Sequence, residues 1–327
     1  MMMVKIWMVM VFVGVTKSAV GKNHNEAAHN ALCDFLKVAV DKWGDQGQGL
    51  SERMKKALGR TLFGNESGGD IAELRNNLPS FYDTVIRDGA SRGTACGGPE
   101  SGHSAPHGLI CLCTAGENVW PINGRDTLCG KGKDYLGGGS KGWSDKDRNT
   151  GQKELNATWR NVVSPCLEGD IGKDLKKSLE TFKEQLVNKS DVFVPGTYQL
   201  GEGEPVRYSA CTGYSPLGVC VMYYNSTTIK QDRMPWWVDL EEAIPEEEKF
   251  QEEKKKREEE ERRKQQEREK QELPQTAALT SSLPTNNQTD QQHKELNLTT
   301  HFQRLNMTSG TPIILPSSWL FRVALLI

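Results

Sequence analysis

The stretch Asn25-Glu26-Ala27-Ala28-His29-Asn30-Ala31-Leu32-Cys33-Asp34-Phe35-Leu36-Lys37-Val38-Ala39-Val40-Asp41-Lys42-Trp43 decides the fold class. Ala28, Leu32, Phe35, Leu36, Ala39 and Trp43 recur at three- and four-residue spacing, which gathers them on one helix face. Asn25 stands where an N-cap belongs, and Gly44 with the Gly-Gln repeats behind it stops the helix. An apolar stripe needs an opposing stripe. One lies at 170–187, where Ile171, Leu175, Leu179, Phe182 and Leu186 follow Asp170, a suitable cap. The two segments are expected to pair as an antiparallel helical hairpin. The fold expected is mainly α, an elongated hairpin or bundle.

Shorter helices are expected around that hairpin. One runs from Ser51 to Leu62 with Met54, Ala57 and Leu58 inward. Another spans 70–87, capped by Asp70; it carries Ile71, Leu74, Leu78, Phe81 and Val85, with Pro79 kinking or breaking it. These stripes read as plain core. Residues 88–151 are rich in Gly and Cys and keep neither helical nor strand periodicity, so disulfides must pin them. Residues 192–224 read as loop and short strand, with the run Val219-Cys220-Val221-Met222-Tyr223-Tyr224.

From 246 to 272 the chain is nearly all Glu, Lys, Arg and Gln. No stripe is present for a partner helix. Glu252–Lys256, Glu253–Arg257, Glu258–Arg262, Glu259–Arg263 and Glu260–Lys264 place acid before base four residues on, each worth about 0.2–0.5 kcal/mol to an isolated helix. The stretch is a spacer, either a helical rod of roughly 40 Å or a solvated, disordered charge run. Beyond Pro274 the chain turns rich in Thr, Ser, Gln and Asn, as a linker would.

Both ends carry targeting signals. Lys5 precedes an apolar run over 6–15, and Ser18, Ala19 and Gly21 follow, so a secretory signal cleaved after Ser18 or Gly21 is expected. At the other end, Ser309 and Gly310 precede a spacer over 310–318 and an apolar tail over 319–327, interrupted by Arg322. That is the pattern of a glycosylphosphatidylinositol (GPI) attachment signal, with Ser309 as the ω-site and Gly310 as the alternative. Neither apolar run reaches the roughly 20 residues a spanning helix needs. The expected layout is signal peptide 1–21, head 22–235, charged stalk 236–273, linker 274–309 and removed propeptide 310–327.

Eight cysteines, Cys33, Cys96, Cys111, Cys113, Cys129, Cys166, Cys211 and Cys220, form an even set for an oxidising compartment and read as disulfides. Counting leaves 105 connectivities. Cys111 and Cys113 are too close in the chain to bridge each other and should each reach a different partner. Sequons at Asn65, Asn156, Asn188, Asn225, Asn287, Asn297 and Asn306 point to a glycosylated surface. A net charge of −2 without a basic patch argues against nucleic acid.

Chemistry is sparse. Cys96, His103, His107, Cys111, Cys113 and Cys129 have the residue types of a zinc site, yet secretory thiols oxidise first. An even count leaves no spare thiolate for a Cys–His pair. No Gly-x-Ser-x-Gly elbow, phosphate loop or zinc-binding helix is present. Gly137-Gly138-Gly139-Ser140 is a loop without the flanking strand and helix a phosphate site requires. No catalytic residue, metal, cofactor or small-molecule substrate is expected.

One stretch carries a resemblance. Cys96-Gly97-Gly98-Pro99-Glu100-Ser101-Gly102-His103-Ser104-Ala105-Pro106-His107, continuing into Leu109-Ile110-Cys111-Leu112-Cys113, closely resembles the variant surface glycoproteins of African trypanosomes, specifically the congolense-type branch. Leu32-Cys33, Trp43, the run from Cys220 to Tyr224 and the tail Ser317-Ser318-Trp319-Leu320-Phe321 also look like that family. The resemblance implies a GPI-anchored coat protein with an elongated helical N-terminal domain, usually a homodimer, packed on the parasite plasma membrane. Its implied role is antigenic variation, shielding the membrane and meeting host antibody. Brucei-type members have a cysteine-rich C-terminal domain; here no cysteine follows Cys220, and the charged stalk takes its place. The rival readings are a receptor for a nutrient or host protein on the same scaffold and, more remotely, a GPI-anchored hydrolase.

Overall fold

The computed structural model describes residues 21–278 apart from 88–90, 140, 147–149, 170–171, 191–195, 207–208 and 226–233, with side chains to 270. Residues 1–20 of the expected signal peptide, Asp170 and Ile171, the sequons Asn287, Asn297 and Asn306, and the ω-site residues Ser309 and Gly310 lie outside the described residues. The chain divides into two units at Arg263 and Lys264; the fold described here is that of the first.

In chain order the elements are β1 (Asn23–His24), α1 (Glu26–Trp43), α2 (Glu52–Phe63), α3 (Ile71–Asn76), α4 (Phe81–Arg87), α5 (Arg92–Gly97), α6 (Ala105–Cys113), β2 (Thr127–Leu128), α7 (Gln152–Thr158), α8 (Ser164–Cys166), α9 (Leu175–Lys183), β3 (Val187–Asn188), β4 (Thr197–Glu202), β5 (Val219–Tyr224) and α10 (Trp236–Ala278). The fold is mainly α, as expected. β3, β4 and β5 form a small antiparallel sheet in which Leu200 faces Val221, and β1 pairs in parallel with β2.

α1 is the central helix. Besides its predicted stripe, Ala31, Cys33, Val38 and Val40 are buried, because α2, α6, α8 and α9 all pack on it. The hairpin partner is α9. Gly169 lies beside Asp41, while Ser178 and Thr181 lie beside Ala31 and Asp34, so the two helices run antiparallel. The partner is shorter than the expected 170–187. Gly172 has a left-handed backbone (φ +96°), Asp174 supplies the cap by accepting from the Lys177 N–H at 2.7 Å, and Leu186 leads into β3. Pro79 breaks the expected 70–87 helix into α3 and α4, since a residue preceding proline is pushed out of the helical region.

Two other expectations are corrected. Asn25 does not cap α1 with its side chain. It adopts a left-handed backbone, donates to the carbonyls of Leu112 (2.8 Å) and Val219 (2.7 Å), and accepts from the Glu202 N–H. It ties three segments together instead. And the Gly/Cys-rich insert is not structureless, for it contains α5 and α6. Every residue of α6 is buried. A helix covered on all sides has no polar face, hence no periodicity to read.

The hairpin is closed by aromatic rings. Phe35 and Phe182 lie 6.2 Å apart, Trp236 packs within 4.9 Å of Phe35 and 5.1 Å of Phe182, and Trp237 lies 4.5 Å from Tyr223 of β5. Burying side chains of this kind stabilises the fold by about 1.5–3 kcal/mol each. The charged stretch is thus the continuation of a helix whose first turns are core: Trp236, Trp237, Leu240, Ala243 and Ile244 are buried. α2 holds the next turns through Arg60–Asp239, Arg53–Glu242 and Arg53–Glu246, and Glu247 accepts from the Ser51 N–H. Of the two expected forms of the stalk, the helix is the one observed, through Ala278.

Candidate functional site

The chemistry-bearing residues converge on α6. Cys111 and Cys113 part as expected, Cys111 to Cys96 and Cys113 to Cys129, while Cys33 joins Cys166 and Cys211 joins Cys220. All eight cysteines are therefore oxidised. Where histidine meets sulfur, His107 beside Cys96 and Cys111, and His29 beside Cys33 and Cys166, the sulfurs belong to disulfides and offer no thiolate to a metal.

His107 is engaged at both ring nitrogens. Its Nε2 lies 2.8 Å from the Ala95 carbonyl, which can only accept, so the proton sits on Nε2. Nδ1 then accepts from the Tyr82 hydroxyl at 2.7 Å. Burial, aided by the neighbouring His103, holds His107 well below the usual histidine range. Burial also lowers His103, whose ring centroid lies 4.3 Å away, against the opposing pull of Glu100. Burial pushes the Tyr82 phenol up. This is a neutral pair serving as structure.

A pH dependence follows. Unfolding exposes both imidazoles, which take up protons below about pH 6.5, while the folded state resists. Their stabilisation is complete above that pH and is lost progressively as pH falls toward the lowered folded values. Between pH 6.5 and 5 each depressed histidine should cost about 1.4 kcal/mol per pH unit at most. Denaturant titrations at stepped pH measure the slope, and His107→Gln, which keeps one donor and one acceptor, should flatten it. An unchanged slope in that variant would refute the assignment.

Arg92 was not singled out by sequence, and it is the most consequential polar residue of the centre. It is completely buried. Its guanidinium donates to the carbonyls of Cys111 (2.8 Å), Thr114 (2.9 Å) and Trp143 (2.9 Å) and lies 5.0 Å above the Trp143 ring. Burial lowers its pKa to about 9, with Asp145 opposing, so it stays charged at neutral pH. It thereby caps the C-terminal end of α6, where helix carbonyls lack partners and the dipole favours a cation. No periodicity marks such a residue; a lone Arg beside Gly93 resembles any loop.

Asp145 faces a cleft of about 480 Å³ lined by Ser91, Thr94, Lys189, Ala210 and Tyr224. Burial raises its pKa, and its Oδ1 accepts from the Gly93 N–H at 2.8 Å. Its carboxylate is committed to the backbone of α5. The Ser91 hydroxyl likewise accepts from the Thr94 N–H at 3.1 Å. These groups are organised to hold α5 rather than to activate a nucleophile.

The described sequons sit at the surface. Asn65, after α2, Asn156, on α7, and Asn188, in β3, are exposed, and Asn225, after β5, is half-buried. No described helix is long and apolar enough to cross a membrane.

A family model described as the trypanosomal VSG domain matches residues 41–268, from the end of α1 into α10. No curated protein matches the chain.

Proposed function

We propose, on the premise that this chain belongs to the trypanosomal VSG domain family, that it is a GPI-anchored glycoprotein of the surface coat that serves antigenic variation. The VSG domain supports a trypanosomal surface coat protein. The family match over 41–268 carries it. The apolar run over 6–15 and the small-spacer-apolar pattern around Ser309 and Gly310 supply entry to the secretory pathway and exit to a lipid anchor. One acyl chain binds a membrane only weakly, so a two-chain lipid suits a dense layer. The partners proposed are the plasma membrane through that lipid, a second copy of the chain as a homodimer, and host antibody. No enzymatic activity forms part of the reading. The motif from Cys96 to Cys113 and the lack of cysteine beyond Cys220 favour the congolense-type branch.

The test is phospholipase C treatment of intact cells. The expected result is one dominant released species whose C-terminal peptide carries ethanolamine on Ser309, or on Gly310. A scarce released species would favour a receptor on the same scaffold. A mature chain that still contains Trp319 would refute the anchor.

A further inference from the structure

The strap that opens the described chain ends on a carboxylate. The Lys22 backbone nitrogen lies 2.7 Å from Asp126 Oδ1. Its carbonyl accepts from the Thr127 N–H, and the Lys22 ammonium pairs with Glu202 at 2.9 Å. His24 stands between the two acids, with Nδ1 2.7 Å from Glu202 and Nε2 3.8 Å from Asp126. Asn23 adds contacts to the Thr127 hydroxyl and the Gly130 N–H. Thus Lys22, Asn23 and His24 are held residue by residue against 126–130 and Glu202. Upstream the fit changes character: a Cβ on Gly21 would stand 2.1 Å from the Arg125 carbonyl oxygen.

We propose that signal cleavage falls between Gly21 and Lys22, and that the α-ammonium it creates is a structural group seated on Asp126. Hydrolysis adds water across the Gly21–Lys22 amide, leaving a carboxylate on Gly21 and an ammonium on Lys22, the amine taking the proton that the new carboxyl gives up. Ala19 and Gly21 then occupy the two small-residue positions that signal cleavage prefers; cleavage after Ser18 would place Thr16 at the outer one. The charges agree with this. With an amide at Lys22 the cluster holds one lysine cation against two carboxylates, Asp126 and Glu202. With the α-ammonium, Lys22 sets two cations against the two carboxylates, and the short Lys22–Asp126 bond becomes charge-assisted. The new terminus completes the cluster rather than fraying from it.

The proposal rests on the secretory reading, and its test separates the two. N-terminal peptide mass spectrometry of protein from cells should give a chain starting at Lys22. A start at Ala19 overturns this inference and leaves the coat assignment standing. A start at Met1 overturns both. The second measurement uses Asp126→Asn. A free α-amine titrates near pH 8, and pairing with Asp126 raises that value, so its contribution is full below about pH 8 and is lost as pH rises through the raised value. Asp126→Asn should therefore lower Tm by about 2–4 °C at pH 7 and by much less at pH 10. The same convergence should persist in a His24→Gln background, which removes the imidazole. A Tm difference equal at both pH values would mean that an uncharged amide, not a terminus, sits on Asp126.

Discussion

Replacing Arg92 by methionine is expected to destabilise the head by about 3–5 kcal/mol, since each buried carbonyl left without its donor costs about 1–3 kcal/mol. The reasoning starts from α6. Its last carbonyls have no partner within the helix, and no water reaches them because every residue of α6 is buried. Arg92 serves Cys111, Thr114 and Trp143, three carbonyls in a fan that the planar guanidinium fits. Methionine matches its bulk but leaves all three acceptors dry. Lysine keeps the charge with one nitrogen at its tip, so Arg92→Lys should recover half of the loss at most. Since domains are stable by roughly 5–15 kcal/mol, the methionine variant should show a large drop in denaturation midpoint. A loss under about 1 kcal/mol would refute the capping role.

The second large effect belongs to the Cys33–Cys166 bond. It joins the middle of α1 to α8 across a sequence separation of 133, whereas Cys211–Cys220 spans 9. On the chain-entropy account these closures are worth about 5 and about 2–3 kcal/mol. The double variant Cys33→Ala/Cys166→Ala, which leaves no free thiol, should therefore lose roughly 10–20 °C in Tm for a domain of this size. Cys211→Ala/Cys220→Ala should lose about half as much. Equal losses would show that local packing, not loop closure, sets the contribution of each bond.

What was legible in the sequence was whatever had two unlike faces. α1 and α9 announced themselves because each packs on one side and meets water on the other. α2 did the same, with Ser51 and Met54 in the places the pattern demanded. α6 was invisible for the opposite reason: buried all round, it reads as an unpatterned run of Gly, Cys and Leu. Asn25 misled because a residue that often caps a helix can equally bond distant carbonyls, and only tertiary structure decides which. The core-facing turns of α10 carry Trp236, Trp237, Leu240, Ala243 and Ile244 at helical spacing, but the stripe ends where the charge run begins, so it is only a few turns long. The cysteine set was legible as disulfides, and the parting of Cys111 from Cys113 was too. The pairing itself depended on α6, and Arg92 depended on α6 as well, so one unseen helix hid both.

α6 has a further consequence for how this chain can change over generations. The bonds that fix it, two disulfides and the Arg92 cap, all lie beneath the surface. Exposed substitutions away from such features usually shift stability by no more than about 0.5 kcal/mol. Under the proposed function, a protein that must be recognised and then replaced by a differently decorated copy profits from that separation. Its outer residues can drift while the inner helix keeps the same address, and an antibody raised against the outside leaves no mark on the inside.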